Sequence, residues 1–170
     1  MRVILFRHAA AEARDPERWP DDDERPLTER GVARARRAAR GLVYLERGIT
    51  RVLTSPAVRA MATAEVLSGV LGSEASPEAL GSLAPGGSWR VTLKGLSNES
   101  PESIIVLVGH EPDLGRLAGV WLFGAPAALP LKKAGACSIE MARPTPGAGR
   151  LRWWMPPRAL RALARRRRAP

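Results

Sequence analysis

The segment SIIVLVGH at 103–110 is an unbroken apolar run from Ile104 to Val108 that stops on a glycine and a histidine. A short, β-branched-rich run of this kind reads as a strand. Two others precede it. RVILF at 2–6 reads as a buried strand, and RVLTSP at 51–56 as a short strand closed by a Ser-Pro turn. Each is followed by a helical pattern. In LTERGVARARRAARGLVYLERG at 27–48, Thr28 is the expected N-cap with Glu29 in the first turn, and the helix is expected to end near Gly48. Val32, Ala35, Ala39, Leu42 and Val43 are expected inside, with Arg34, Arg37 and Arg40 mostly outward. The residues after Pro56 have helix-forming content stopped at Gly72, and Pro112 suits the first turn of the helix after 110. CSIEMAR and RLRWWM, joined by a Pro/Gly-rich turn, look like an antiparallel hairpin before a terminal helix. This alternation predicts a three-layer α/β/α sandwich with a mainly parallel sheet and an antiparallel edge.

The 170 residues are expected to form a single domain over 1–170, large enough to bury a core without a staple, with a basic C-terminal tail at about 165–170. No run is apolar and long enough to span a membrane and no cleavable leader is recognisable, so a cytoplasmic protein is expected. The single cysteine, Cys137, excludes an internal disulfide and a cysteine-rich zinc site and is expected in the core. With only two histidines, about a hundred positions apart, no metal and no cofactor is expected. The net charge of +10 suggests an anionic partner, but the 27 Lys and Arg are spread widely except at the C-terminus. That distribution makes nucleic acid an unlikely partner.

In open α/β sheets, ligands bind beyond the carboxyl ends of the strands. That rule gathers Arg7 and His8, Ser55 with the helix carrying Arg59, and Gly109 with His110 on one rim. Two arginines and two histidines around one point form an anion site, since each guanidinium can grip phosphoryl oxygens with two donors. Imidazole can itself be the nucleophile in phosphoryl transfer if an acceptor holds one ring nitrogen and leaves the other its lone pair. His8 would then be phosphorylated, while Arg7, Arg59 and His110 stabilise the equatorial oxygens without a metal.

RHA at 7–9, RPLTERG at 25–31, TSPAVRAMATA at 54–64 and VGHEPDL at 108–114 together resemble the histidine phosphatase superfamily, whose fold is phosphoglycerate mutase-like. The short length, GHEP, LAPGG at 83–87 and LRWWMPPRAL near the end are most similar to its small SixA-type phosphohistidine phosphatases. The resemblance implies that His8 is the phosphorylated nucleophile. It implies that Arg7 and Arg59 bind phosphate, that His110 is the second histidine on the phosphoryl group, and that Thr54 and Ser55 form the turn that sets Arg59. Glu111 is either a substrate contact or simply a first-turn helix carboxylate. The implied partner is a phosphohistidine-containing protein such as a phosphotransfer domain.

One departure bears on the substrate. Many ester-hydrolysing members carry a carboxylic acid where this chain reads ALGSLAPGG, with Ser82 in the corresponding region and Glu78 nearby but not at the matching place. An ester leaves as a basic alkoxide and needs a proton from a general acid. A phosphorylated imidazole does not, because protonation of its other nitrogen lets it depart as a neutral ring with a pKa of about 6.5. The pattern therefore favours an N-phosphorylated substrate. The alternatives are a phosphatase or mutase acting on small phosphate esters, a basic nucleic-acid or anion-binding module using the terminal arginines with Trp153 and Trp154, and an inactive phosphohistidine-binding relic. Leu151, Trp153 and Met155 alternate as a buried strand face would, which weighs against a nucleic-acid platform.

Overall fold

The computed structural model describes residues 1–72 and 76–166, with the side chain of residue 166 excepted. The last four residues of the expected basic tail lie outside the described residues. Six strands form one sheet: β1 (Arg2–Arg7), β2 (Arg51–Thr54), β3 (Pro77–Ala79), β4 (Ile104–Gly109), β5 (Ala136–Glu140) and β6 (Arg150–Met155). Their order is β3-β2-β4-β1-β5-β6. The first four strands pair in parallel, while β1–β5 and β5–β6 pair antiparallel. The mainly parallel sheet with an antiparallel edge is therefore present.

Strand side chains alternate between the two faces. Ile4, Phe6, Val106 and Val108 join α1 (Glu29–Leu45), α2 (Val58–Leu71) and α5 (Pro157–Arg166) in one core. Val3, Leu5, Ile105 and Leu107 join α3 (Trp89–Gly95) and α4 (Asp113–Phe123) in the other. Cys137 lies buried in this second core as expected, and its burial raises the thiol pKa. Among the described residues, no helix is long and apolar enough to cross a membrane.

Thr28 caps α1 as expected, its Oγ1 accepting from the Gly31 amide at 2.9 Å. Gly31 is required there because a Cβ would lie 2.0 Å from the carbonyl oxygen of Ala10. The start of α1 thus presses directly on the chain just after His8.

Three expectations need correction. First, α1 ends at Leu45 instead of near Gly48. Glu46 turns extended and its buried carboxylate accepts from Arg2 Nη1 at 2.5 Å, Trp153 Nε1 at 2.9 Å and Ser138 Oγ at 3.1 Å. Second, Val32 and Val43 are only half-buried, while Ala38 and Gly41 join Ala35, Ala39 and Leu42 inside. Gly41 lies inside because α5 crosses so closely that a Cβ would sit 1.9 Å from the Leu160 carbonyl oxygen. Third, Leu151 is 49% exposed, because a register shift between Ser138 and Ile139 breaks the alternation of β6. Trp153 and Met155 do pack against the core.

Glu46 ties β1, β5, β6 and the end of α1 together at the edge of the sheet opposite the carboxyl ends of the parallel strands. Glu46→Ala would strand the buried Ser138 hydroxyl and the half-buried donors of Arg2 and Trp153, and we expect a loss of about 3 kcal/mol in unfolding free energy, read from urea midpoints. Truncation of the exposed Glu140, paired with Arg152 at the surface, is expected to cost less than about 1 kcal/mol.

Candidate active site

The pairing of β1 with β4 sets Arg7 opposite Gly109, and the His8 amide donates to the Gly109 carbonyl at 3.0 Å. The two Arg/Gly-His ends therefore lie side by side. Their rings meet with centroids 4.9 Å apart and planes tilted by 51°. Pairing of β2 with β4 continues past the strand ends, where the Ser55 amide donates to the Val108 carbonyl at 2.9 Å. The Ser55 hydroxyl then accepts from the Ala57 amide at 3.2 Å, fixing the turn that starts α2 with Arg59 in its first turn.

Arg7, His8, Arg59 and His110 all line one cleft of about 400 Å³, together with Arg25, Lys133, Glu12 and Glu111. Sequence reasoning brought the first four and Glu111 to this rim. It did not find Arg25, Lys133 or Glu12. Arg25 stood in the quoted RPLTERG segment, and its arginine is the signal that could have been used. Among the described residues, no group of three or more His, Cys, Asp or Glu side chains gathers where it could hold a metal ion.

His8 and His110 are buried, at 6% and 4% exposure. The His8 Nδ1 donates to the Ala9 carbonyl oxygen at 2.7 Å, which leaves the lone pair on Nε2. Burial, then the neighbouring His110, pushes the His8 pKa down to about 3. Burial, then the charges of Arg59 and Arg7, pushes His110 down to about 4. Both rings are therefore neutral near pH 7 in the free cleft.

His110 Nε2 and Ser55 Oγ are hydrogen-bonded at 2.8 Å. If the serine donates, Nδ1 of a neutral His110 carries the proton and can in turn donate to an anion. Ser55 thus links the two remote segments more directly than through placement of Arg59 alone.

The arginines are held but not saturated. Arg7 Nη1 donates to the Leu131 carbonyl at 2.8 Å, and Arg59 Nη1 donates to the Asp22 carbonyl at 2.5 Å. The Nε atoms of both are buried without a hydrogen-bond partner. Unpaired buried donors are costly, so an acceptor entering the cleft would be rewarded. The Leu131 amide donates to Glu111 Oε1 at 2.9 Å, so Glu111 lines the cleft and also fastens the strand of chain that holds Arg7. Burial raises the Glu111 pKa, while the Leu131 amide and Arg7 pull it down. Lys133 is lowered by burial and by Arg7, Arg25 and Arg59.

The acid-region residues lie elsewhere. Ser82 Oγ is 2.8 Å from Thr92 Oγ1, in the wall of a cavity of about 90 Å³ that also borders His110. Glu78 is exposed on β3 and paired with Arg51.

An α/β sandwich with a cluster of cleft cations, Arg14 among them, around two buried histidines defines a phosphoglycerate mutase-like protein built to receive an anion. A family model for the Histidine phosphatase superfamily (branch 1) matches residues 3–80. The chain is 36% identical over 120 residues to the phosphohistidine phosphatase SixA of Escherichia coli, a match covering 69% of this chain and 71% of that protein. It is 38% identical over 144 residues to an uncharacterized protein of Picosynechococcus, covering 82% and 85% of the two chains. A protein histidine phosphatase SixA solved with tungstate superposes with a TM-score of 0.82 at 28% identity, over 94% of this chain and 99% of that one. The chain belongs to the histidine phosphatase superfamily and is of the SixA type.

A chain with two histidines permits a direct check by NMR. We expect neither imidazole to titrate above pH 5 in the absence of an anion; a midpoint near 6.5 for either would show that its ring is solvated. Because both folded values lie below the unfolded 6.5, the unfolded chain takes up protons first as pH falls. The stability carried by the neutral rings is therefore present above about pH 6.5 and lost on descending through about 4 and 3.

Proposed function

We propose that this protein is a phosphohistidine phosphatase that removes the phosphoryl group from histidine on another protein. The observation that carries the reading is the bond from His8 Nδ1 to the Ala9 carbonyl, which leaves that ring's lone pair on Nε2, in a cleft whose Arg7 and Arg59 have unpartnered Nε donors. The likeness to SixA proteins supports the same substrate class.

In this mechanism the phosphoryl group enters among Arg7, Arg25, Arg59 and Lys133, with His110 donating to an equatorial oxygen. His8 Nε2 attacks phosphorus as the substrate N–P bond breaks, and the electron pair returns to the departing imidazole, which carries a proton on its other nitrogen and leaves neutral. Water then attacks the phosphoryl group on His8. The N–P bond to His8 breaks with its electron pair returning to Nε2, and both water hydrogens leave with the phosphate. Cations already in the cleft supply the charge stabilisation, so turnover is expected to proceed without a metal.

The competing reading, hydrolysis of phosphate esters, draws on Glu12 and Glu111, the carboxylates that line the cleft. Assays in EDTA on a phosphohistidine-bearing phosphotransfer domain and on a small phosphate ester separate the two. The proposal expects fast release from phosphohistidine and little from the ester; efficient ester hydrolysis lost in Glu111→Gln would replace it. His8→Ala is expected to abolish turnover with folding intact. Arg59→Ala is expected to raise the barrier by about 2 to 4 kcal/mol, by analogy with loss of one oxyanion donor. Near-normal rates in either variant would remove that residue from the chemistry.

A further inference from the structure

The segment PDDDERP between β1 and α1 does more than connect them. Asp22–Glu24 form a single 3-10 turn against the first turn of α2. Within it the Asp22 carboxylate faces three arginines. Its Oδ1 accepts from Arg25 Nε at 2.9 Å and its Oδ2 from Arg25 Nη2 at 3.2 Å, a two-point grip. Arg59 Nη2 lies 3.3 Å from the same Oδ2, and Arg14 Nε lies 3.3 Å from Oδ1. Arg25 and Arg59 are nearly fully buried, at 9% and 4% side-chain exposure, whereas Asp22 retains 37%. Arg25 and Arg59 both line the phosphoryl cleft.

We propose that Asp22 is a positioning residue that acts as a built-in counter-charge: its carboxylate grips Arg25, lies beside Arg59, and weakens the hold of both on the phosphate product. This inference rests on the reading of the cleft as a phosphoryl site. Holding alone would not require the Asp22 carboxylate on Arg59, since Nη1 is already anchored by the backbone carbonyl of Asp22 at 2.5 Å and Nη2 donates to Asp23 Oδ1 at 3.4 Å. The carboxylate adds a negative charge at a site that must attract an anion. Its charge reaches the rim, where it partly offsets the arginines acting on His110. An enzyme that gathers several cations around a phosphoryl group faces slow release of phosphate. A counter-charge fixed behind the arginines reduces product affinity and leaves the donor geometry in place.

The two roles of Asp22 predict opposite signs for phosphate affinity. If the carboxylate only props the arginines, Asp22→Asn loosens them and phosphate binds more weakly. If it is a counter-charge, the same substitution binds phosphate more tightly, by about 3- to 10-fold for one charge at the edge of a partly solvated site. The experiment is calorimetric titration of inorganic phosphate, with tungstate as a second probe, into wild type, Asp22→Asn, Asp22→Ser and Glu24→Gln at pH 7.5. Glu24 is exposed, and its substitution removes one charge from the same turn as a control. Tighter phosphate in either folded Asp22 variant, with Glu24→Gln within about twofold of wild type, is the expected result. Unchanged or weaker binding in the folded Asp22 variants overturns the counter-charge, as does equal tightening in Glu24→Gln. A wild-type protein that binds no phosphate, or binds it equally well after Arg59→Ala, would instead overturn the phosphoryl-site reading itself.

Discussion

The parallel pairing of β1 with β4 is the constraint on which the rest of the site depends. It sets Arg7 against Gly109 in register, and one further hydrogen bond, from the His8 amide to the Gly109 carbonyl, carries the pairing past the strand ends. Because side chains alternate with period two, a slip of one residue would send His8 or His110 to the opposite face. Neither strand can slip, since both of its faces are packed: Ile4 and Phe6 on one side and Val3 and Leu5 on the other answer to two separate cores. The precision of the 4.9 Å imidazole pair is thus set by apolar packing several residues away. Gly109 contributes by absence, because a Cβ there would come within 3.1 Å of the Leu114 side chain at the start of α4.

Burial and charge then act against each other inside the cleft. Desolvation favours neutral histidines, and the surrounding guanidiniums reinforce this, so both rings are held in the form that offers a lone pair. The same burial makes the arginines costly unless something answers them. Part of the answer is internal: the carbonyls of Leu131 and Asp22, and the carboxylates of Asp22 and Asp23. The remainder is left open at Arg7 Nε and Arg59 Nε.

The strands and the rim were legible because they rest on local signals. Apolar runs that end in Arg-His or Gly-His, in a chain whose strands alternate with helices, bring those ends together by topology alone. Arg25, Lys133 and Glu12 were missed, although Arg25 stood in RPLTERG and Glu12 just past His8, because no local signal shows which loop residues fold back over the rim. Arg25 is placed by the turn at Asp22, and Lys133 by the segment that Glu111 fastens through Leu131. Glu46 was illegible for a similar reason. Within its own sequence it reads as one more polar residue near a helix end, and only the arrival of Ser138 and Trp153 from distant strands makes it a buried acceptor. Leu151 shows the converse failure, where a correct alternation was broken by a bulge that has no local marker.

The leaving group connects these features to substrate choice in the proposed mechanism. At the edge of His110, where an acid would be sought, Ser82 and Thr92 are occupied with each other across 2.8 Å. A hydroxyl pair holds no proton acidic enough to meet an alkoxide near neutral pH, whereas a protonated imidazole leaving group brings its own. Glu111, the half-buried carboxylate nearest in sequence to His110, accepts from the Leu131 amide, and burial, the larger influence, raises its pKa. Ser82 and Thr92 are thus committed to each other, and what the proposed mechanism draws on is the cleft's cations and the His8 lone pair. The proposed mechanism asks the enzyme for charge stabilisation and a positioned nucleophile, which is what cleavage of a phosphoryl group from nitrogen requires.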